Sequence, residues 1–297
     1  MKQISILIPN YNGICTTLVS ELHKQAEELG IDYEVIVADD GSTQADCVRA
    51  NYSINELSHC RYLVRQENVG RAAIRNFLAS ESQYEWLLFI DSDMVIRRAD
   101  FLRKYCYAPD NPVIVGGVTI GNPQEGNLRS MYEMAAADAH TVEKRCSHPY
   151  HDFHTANFLI RRELMLAHPF DLRFRHYGYE DVLLGKQLQQ LGIPILHIDN
   201  PLSFEVFESN DHFVSKTEEG LRTLFTFQEE LQGYSHLLDL SSHWWFPLVR
   251  PLVRLWHHCF GQWERKQLTG NRPSLLLFRL YKTGYFISHR DRSFMMT

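Results

Sequence analysis

The stretch Trp86-Leu87-Leu88-Phe89-Ile90-Asp91-Ser92-Asp93-Met94 decides how this chain reads. Its apolar run predicts a buried strand, and two carboxylates follow at the C-terminal end. Side chains alternate along an extended chain, so Asp91 and Asp93 point the same way. In open α/β sheets, ligands bind beyond the carboxyl ends of the strands. Two carboxylates there suit a hard divalent cation, which takes oxygen ligands and shares them with a substrate's phosphates. The pattern suggests an enzyme acting on a nucleotide-linked substrate. Asp-x-Asp is also common by chance, and on the motif alone a solvated strand-to-loop turn is the readier explanation, so the flanking chain has to decide.

Upstream, Ile4-Ser5-Ile6-Leu7-Ile8-Pro9 reads as a first buried strand ending in the turn Asn10-Tyr11-Asn12-Gly13. Thr16 to Leu29 has near-helical apolar spacing and stops at Gly30. Tyr33 to Ala38 is a second strand, ending in Asp39-Asp40-Gly41-Ser42. Tyr62 to Val64 is a short third strand, and Gly70 to Ser80 a helix. This alternation predicts a parallel sheet with helices on both faces. Asn or Asp closes three of its strands on one edge, and three such loops converging are best explained by a polar pocket.

Downstream the pattern loosens. Val113 to Val118 reads as a strand through Gly116-Gly117, and His154 to Arg162 as a strand leading into a turn. Tyr177-Gly178-Tyr179-Glu180-Asp181 opens a helix that runs to Leu191 and stops at Gly192; Pro194 to Ile198 is a further strand. Acidic residues in a first helical turn suit the helix dipole, which by itself accounts for Glu180 and Asp181. The chain has no internal repeat and no low-complexity segment.

At 297 residues and 44% hydrophobic content, the chain can bury a full core as one large domain or two. Its six cysteines include no C-x-x-C pair, so neither a zinc site nor a redox motif is indicated. A reduced, cytoplasmic setting is expected, with no signal peptide at Met1-Lys2-Gln3 and no apolar run long enough to span a membrane. The net charge of −6 hides an asymmetry: Leu240 to Thr297 carries nine Lys/Arg against two Asp/Glu. The acidic body argues against general nucleic-acid binding. The basic tail opens with aromatics among Arg, from His243 to Trp256, as an in-plane membrane contact would. Helices packed on the catalytic domain, or a homodimer contact, explain it equally well.

Pro9-Asn10-Tyr11-Asn12, Asp39-Asp40-Gly41-Ser42, Asn68-Val69-Gly70-x4-Arg75-Asn76, Asp91-Ser92-Asp93 and Gly178-Tyr179-Glu180-Asp181, in that order, resemble a family 2 glycosyltransferase of the GT-A fold. The resemblance covers roughly residues 1 to 225, and His154 to Leu188 is similar to the transferase domains of bacterial chondroitin-type polymerases. It implies a GT-A domain over 1–225, with a nucleotide-binding half (1–100) and an acceptor half (101–225). A helical, basic extension follows over 226–297.

The reaction it implies is an inverting transfer of a hexosyl or N-acetylhexosaminyl unit from a UDP-sugar to a glycan or lipid-linked acceptor hydroxyl. This would serve bacterial polysaccharide synthesis, in the cytoplasm or on the inner face of the plasma membrane. The donor site would comprise Pro9, Tyr11, Asn12, Asp39, Asp40, Gly70, Arg75, Asp91 and Ser92. In it Tyr11 would contact the base, Asp40 would accept the uracil N–H, and Arg75 would lie near the nucleotide end. Asp93, with Asp91, would hold Mn2+ or Mg2+. Asp181 would be the general base and Glu180 its neighbour, orienting acceptor or donor sugar. One departure stands out: relatives often carry His where this chain has Phe204, which leaves the third metal ligand open. Two rival readings remain at this stage, a sugar-nucleotide-forming nucleotidyltransferase and a non-catalytic sugar-nucleotide-binding scaffold. The first would want a Gly-rich loop with Lys or Arg after the first strand, which Asn10-Tyr11-Asn12-Gly13 is not.

Overall fold

The computed structural model describes residues 3–294. In chain order, β1 (Gln3–Asn10), α1 (Thr16–Leu29), β2 (Asp32–Asp39), α2 (Ala45–Asn51), β3 (Cys60–Val64), α3 (Arg71–Glu81) and β4 (Trp86–Ile90) alternate as expected, except that α2 and the short 3-10 helix after it (Tyr52–Glu56) were not foreseen. Then come β5 (Met94–Val95), α4 (Phe101–Cys106), β6 (Val113–Val115), β7 (Val118–Ile120), α5 (Leu128–Ala136), α6 (Val142–Ser147), β8 (Asn157–Arg161) and α7 (Arg162–Ala167). The chain continues through α8 (Glu180–Gln190), β9 (Ile195–His197), β10 (Leu202–Phe204), α9 (Asn210–Thr226), α10 (His236–Ser242), α11 (Phe246–Leu268) and α12 (Leu275–Phe294).

Packing divides the chain into two compact units that interleave in sequence, a different line from the boundary drawn at residue 225. One takes the chain up to Gly121, Asp138–Arg175 and Leu184–Val206. The other takes Asn122–Ala137, His176–Leu183 and the chain from Phe207 on.

The first unit is built on a seven-stranded sheet, in the order β3-β2-β1-β4-β8-β6-β9. The β1–β2, β2–β3, β1–β4 and β6–β9 pairs are parallel, whereas β8 runs antiparallel to both β4 and β6. Leu7, Ile36, Leu87, Phe89 and Phe158 form part of a core that also takes Leu78 of α3 and Leu184 and Leu188 of α8. Burying each such side chain contributes about 1.5–3 kcal/mol.

Two expectations are corrected here. Val113 to Val118 is not one strand, because the chain turns at Gly117, whose φ of +88° suits glycine, and β6 and β7 enter different sheets. The segment after β8 is the helix α7 rather than a turn. The second sheet, β5-β10-β7, sets Phe204 opposite Met94 and Ser203 opposite Val95.

The second unit is helical. Leu128, Phe213, Val214, Leu268, Phe278 and Tyr281 make its core. Asn210 ties it together: its Oδ1 accepts from Leu128 N (2.6 Å), and its Nδ2 donates to the carbonyls of Gly126 (2.9 Å) and Gly270 (2.8 Å). Among the described residues no helix is long and apolar enough to cross a membrane.

Candidate active site

Because β1, β2 and β4 are parallel, their carboxyl ends share one edge of the sheet. At the end of β2, Asp39 is fully buried. Its carboxylate accepts from Ser42 N (2.7 Å), Ser42 Oγ (2.8 Å), Tyr62 Oη (2.7 Å) and Asn10 Nδ2 (3.2 Å). A carboxylate offers about four lone-pair positions. Asp39 therefore braces the fold, its carboxylate engaged by these four contacts.

Asp40 is buried as well, and its two oxygens accept from Val69 N and Gly70 N, each at 3.0 Å. Burial pushes its carboxyl above the ordinary aspartate value, against the pull of those two N–H groups and of Arg65. Asn12 takes a left-handed conformation (φ +54°), and its side-chain oxygen accepts from Thr43 N (2.8 Å) and Gln44 N (3.0 Å). These bonds knit the loops after β1 and β2 into one platform. Pro9 is half-buried beneath it, and the Tyr11 ring is left 49% exposed.

The end of β4 is organised differently. Arg75 reaches from α3, almost wholly buried, and its Nη2 donates to Asp91 Oδ1 at 2.6 Å. Asp91 N donates to Ala156 O (3.2 Å), and Met94 N to Asp91 O (3.2 Å). This tight turn leaves Ser92 half-buried and Asp93 exposed. Gly70 lies at the N-terminus of α3, where its carbonyl accepts from Ile74 N (3.0 Å).

An exposed Asp93, together with Asp91, fits an octahedral cation that takes one or two carboxylates and completes its shell with phosphates. Phe204 is buried opposite Met94, next in sequence to Asp93, so residue 204 stands at this turn but brings no ligand atom.

Glu180 and Asp181 belong to the second unit. Two consecutive left-handed residues deliver them, Gly178 (φ +95°) and Tyr179 (φ +71°). Glycine bears this at no cost, while tyrosine is strained by about 1–2 kcal/mol. The segment is held by α9: Tyr177 N donates to Glu219 Oε1 (3.1 Å), and Thr223 Oγ1 donates to Tyr177 O (3.0 Å). Burial pushes the Tyr179 hydroxyl well above the ordinary tyrosine value. Glu180 is buried and Asp181 half-buried, with Asp181 Oδ1 accepting from Val182 N at 2.8 Å.

Sequence reasoning missed two features of the first unit. Asn10 bonds both Asp39 Oδ2 and Gly13 O (3.0 Å). His140, Asp152 and His154 bring one ligand atom each to within 4.8 Å of one another. Only the spacing of Asp152 and His154, two apart in sequence, could have hinted at the latter.

The profile of Glycosyl transferase family 2 matches residues 5–167, more than half of the chain. The chain belongs to this family. It is a glycosyltransferase, which sets aside the nucleotidyltransferase and the scaffold. A glycosyltransferase of Haemophilus influenzae is 33% identical over 274 residues, covering 80% of this chain and 86% of that protein. The chondroitin synthase of Escherichia coli is 23% identical over 238 residues, covering 68% of this chain; the chain spans about a third of that protein's length.

Two solved structures share the GT-A fold. One is the mannosyltransferase PcManGT of Pyrobaculum calidifontis in complex with GDP-Man and Mn2+ (TM-score 0.57, 14% identity, 98% of this chain and 86% of that one). The other is S. aureus TarS 1-349 in complex with UDP-GlcNAc (TM-score 0.52, 16% identity, 98% and 92%).

Proposed function

We propose that this glycosyltransferase moves a sugar from a UDP-sugar to a hydroxyl of a glycan or lipid-linked acceptor, with inversion at the anomeric carbon. The observation that carries this reading is the exposed Asp93 beside the buried Arg75–Asp91 pair at the carboxyl end of β4. Pro9 and the half-exposed Tyr11 ring flank the base, and Asp40 meets the uracil N–H with acceptor capacity beyond its two loop bonds. Asp93 and Asp91 would hold Mn2+ or Mg2+, which when bound neutralises charge developing on the leaving diphosphate. Asp181 takes the proton from the acceptor hydroxyl as it attacks, and Glu180 orients the acceptor or donor sugar.

Three measurements test this. Asp93→Ala should abolish Mn2+-dependent UDP binding in calorimetry; unchanged affinity would sink the assignment. Asp181→Asn should lose about 10²–10⁴-fold in turnover while still binding UDP, and near-normal turnover would move the base elsewhere. UDP should bind more tightly than GDP, because a buried acceptor left unpaired costs about 1–3 kcal/mol; equal affinities would favour a GDP-sugar donor.

The same reading puts the tail against an anionic membrane. On α11, Leu248, Leu252, Leu255, Trp256, Phe260 and Trp263 are exposed at spacings that form one stripe. The helix's one acid, Glu264, is fully buried, accepting from Trp256 Nε1 (2.8 Å), and Arg250, Arg254 and Lys266 lie on the same helix. Trp, Leu and Phe beside basic residues suit a helix lying in the headgroup plane. The protein should co-sediment with anionic vesicles at low salt, and Leu252→Glu with Trp263→Glu should release it. No sedimentation, or a change of oligomeric state in the double variant, would overturn membrane contact, the latter result favouring a second copy.

A further inference from the structure

We propose that His140, Asp152 and His154 form a site for a borderline divalent transition ion, zinc being the reference case, distinct from the Asp91–Asp93 carboxylates. The three bring potential ligand atoms to within 4.8 Å of one another, and all lie in the first unit. The local chain explains the convergence. Phe153 is buried, with its ring edge-on to Phe158 at 5.1 Å, and Thr155 is buried too. Burial alternates here, with Phe153 and Thr155 buried, Asp152 half-buried and His154 exposed, so Asp152 and His154 share the outward side.

His140 comes from a separate turn and is held by its backbone: its carbonyl accepts from Arg145 Nε at 3.1 Å. The buried Arg145 also donates to the carbonyls of Val115 (3.4 Å), Gly116 (3.3 Å) and Ile198 (3.0 Å) and contacts His197 Nδ1 (3.0 Å), which anchors that turn to the sheet. The His140 and His154 rings stand 5.7 Å apart between centroids at 74°. With metal–nitrogen bonds of about 2.0–2.1 Å, two imidazoles on one ion have ring centres about 5 Å apart.

Two imidazoles and a carboxylate are the ligand set of an open zinc-type site, with room for a water or substrate atom. Imidazole favours zinc, cobalt or nickel, whereas carboxylates with phosphates favour magnesium. The chain thus separates two kinds of cation by ligand chemistry. The run also bears on the donor edge, because Ala156, two residues after His154, accepts the N–H of Asp91. An ion holding Asp152 and His154 would stiffen the segment behind Asp91.

The test titrates the full-length protein with Co2+, and separately with Zn2+, in excess Mg2+. Wild type should give a saturable visible Co2+ band at one equivalent, and Zn2+ should raise its melting temperature. His154→Gln and His140→Gln should each weaken Co2+ binding by at least about 10–100-fold, the scale set by losing even a supporting contact to a metal ligand. Asp93→Ala should keep the band whether or not the donor assignment holds, so this site and that one fail independently. No band in wild type, or a band that survives both histidine substitutions, would overturn the proposal. Cys146→Ser guards against the exposed thiol of Cys146 as the true ligand: loss of the band in that variant would also overturn it.

Discussion

At the end of β2 the chain places Asp39 and Asp40; at the end of β4, on the other side of β1, it places Asp91 and Asp93. In sequence the two pairs are alike, each a set of carboxylates closing an apolar strand. In the fold they part company. Hydroxyl, amide and backbone N–H groups fill Asp39, and loop N–H groups meet both oxygens of Asp40. Asp91 is balanced by a buried guanidinium, and Asp93 is turned out to solvent. What separates them is burial, the first pair enclosed and the second open. The loop after β2 turns back at once and offers Ser42 three residues on, while in the turn after β4 Met94 N donates to the Asp91 carbonyl. A carboxylate enclosed in the fold supports it, and one exposed at the sheet edge can serve a ligand.

The largest expected effect tests that division directly. Asp39→Ala strands the Tyr62 hydroxyl, the Ser42 N–H and the Asn10 amide, and unsatisfied buried donors cost about 1–3 kcal/mol each. A loss of about 3–6 kcal/mol by chemical denaturation is expected. Asp93→Ala should change stability by less than about 0.5 kcal/mol, as exposed sites do. If the two variants lost equal stability, the comparison would collapse.

Arg75→Ala comes next. It leaves Asp91 without its guanidinium and opens space beside Phe170, over whose ring the Arg75 guanidinium carbon lies at 5.8 Å. Breaking a buried pair from one side costs about 3–5 kcal/mol. Arg75→Met, which fills the volume without the charge, should recover part of that. If Arg75→Met were as damaging as Arg75→Ala, packing would not be the recoverable share, and charge balance at Asp91 would account for the whole loss.

A smaller effect is expected at Asp40. Asn has one acceptor oxygen where Asp has two, so Asp40→Asn should leave either Val69 N or Gly70 N unpaired, at about 1–3 kcal/mol. Loss of the UDP-over-GDP preference together with that stability would give Asp40 both roles. Loss of stability alone would make it a second Asp39.

How far the sequence revealed this follows from where each signal lies. The alternation from Ile4 to Ile90 was readable because each strand carries a mostly apolar run and α1 ends at Gly30. The reversal of β8 was not, since an apolar run reads the same in either direction; only its pairing of Ile90 with Asn157 shows it. The carboxylates at the strand ends were readable as a set, and their division was not, because donors such as Tyr62 and Asn10 reach Asp39 from other strands. The His140–Asp152–His154 cluster was hidden for the same reason: two of its members are adjacent in pattern, and the third arrives through Arg145.

The smallest effect sets Asp40 against a carboxylate of the second unit. Burial alone would raise the Glu208 carboxyl, as it raises that of Asp40. At Glu208 the Lys216 ammonium, with Nζ 3.0 Å from Oε1, and the charge of Arg129 outweigh it and hold the group below the ordinary glutamate value. The two sites therefore tilt stability in opposite directions. With its folded value lowered, Glu208 contributes stability that is present above the ordinary glutamate value and is lost as pH falls through the folded one. With its folded value raised, Asp40 contributes stability that is present below the ordinary aspartate value and is lost as pH rises through the folded one. Melting temperature followed across the acid range should thus fall less steeply on acidification in Glu208→Gln than in wild type. Asp40→Asn should flatten the decline on the rising side of the carboxylate range. The Glu208 step should be modest, about 0.5–1 kcal/mol for a partly exposed pair, and should vanish in Lys216→Met. If Glu208→Gln left the acid limb unchanged, the ammonium would contribute nothing at Glu208, and charge would not separate these two carboxylates.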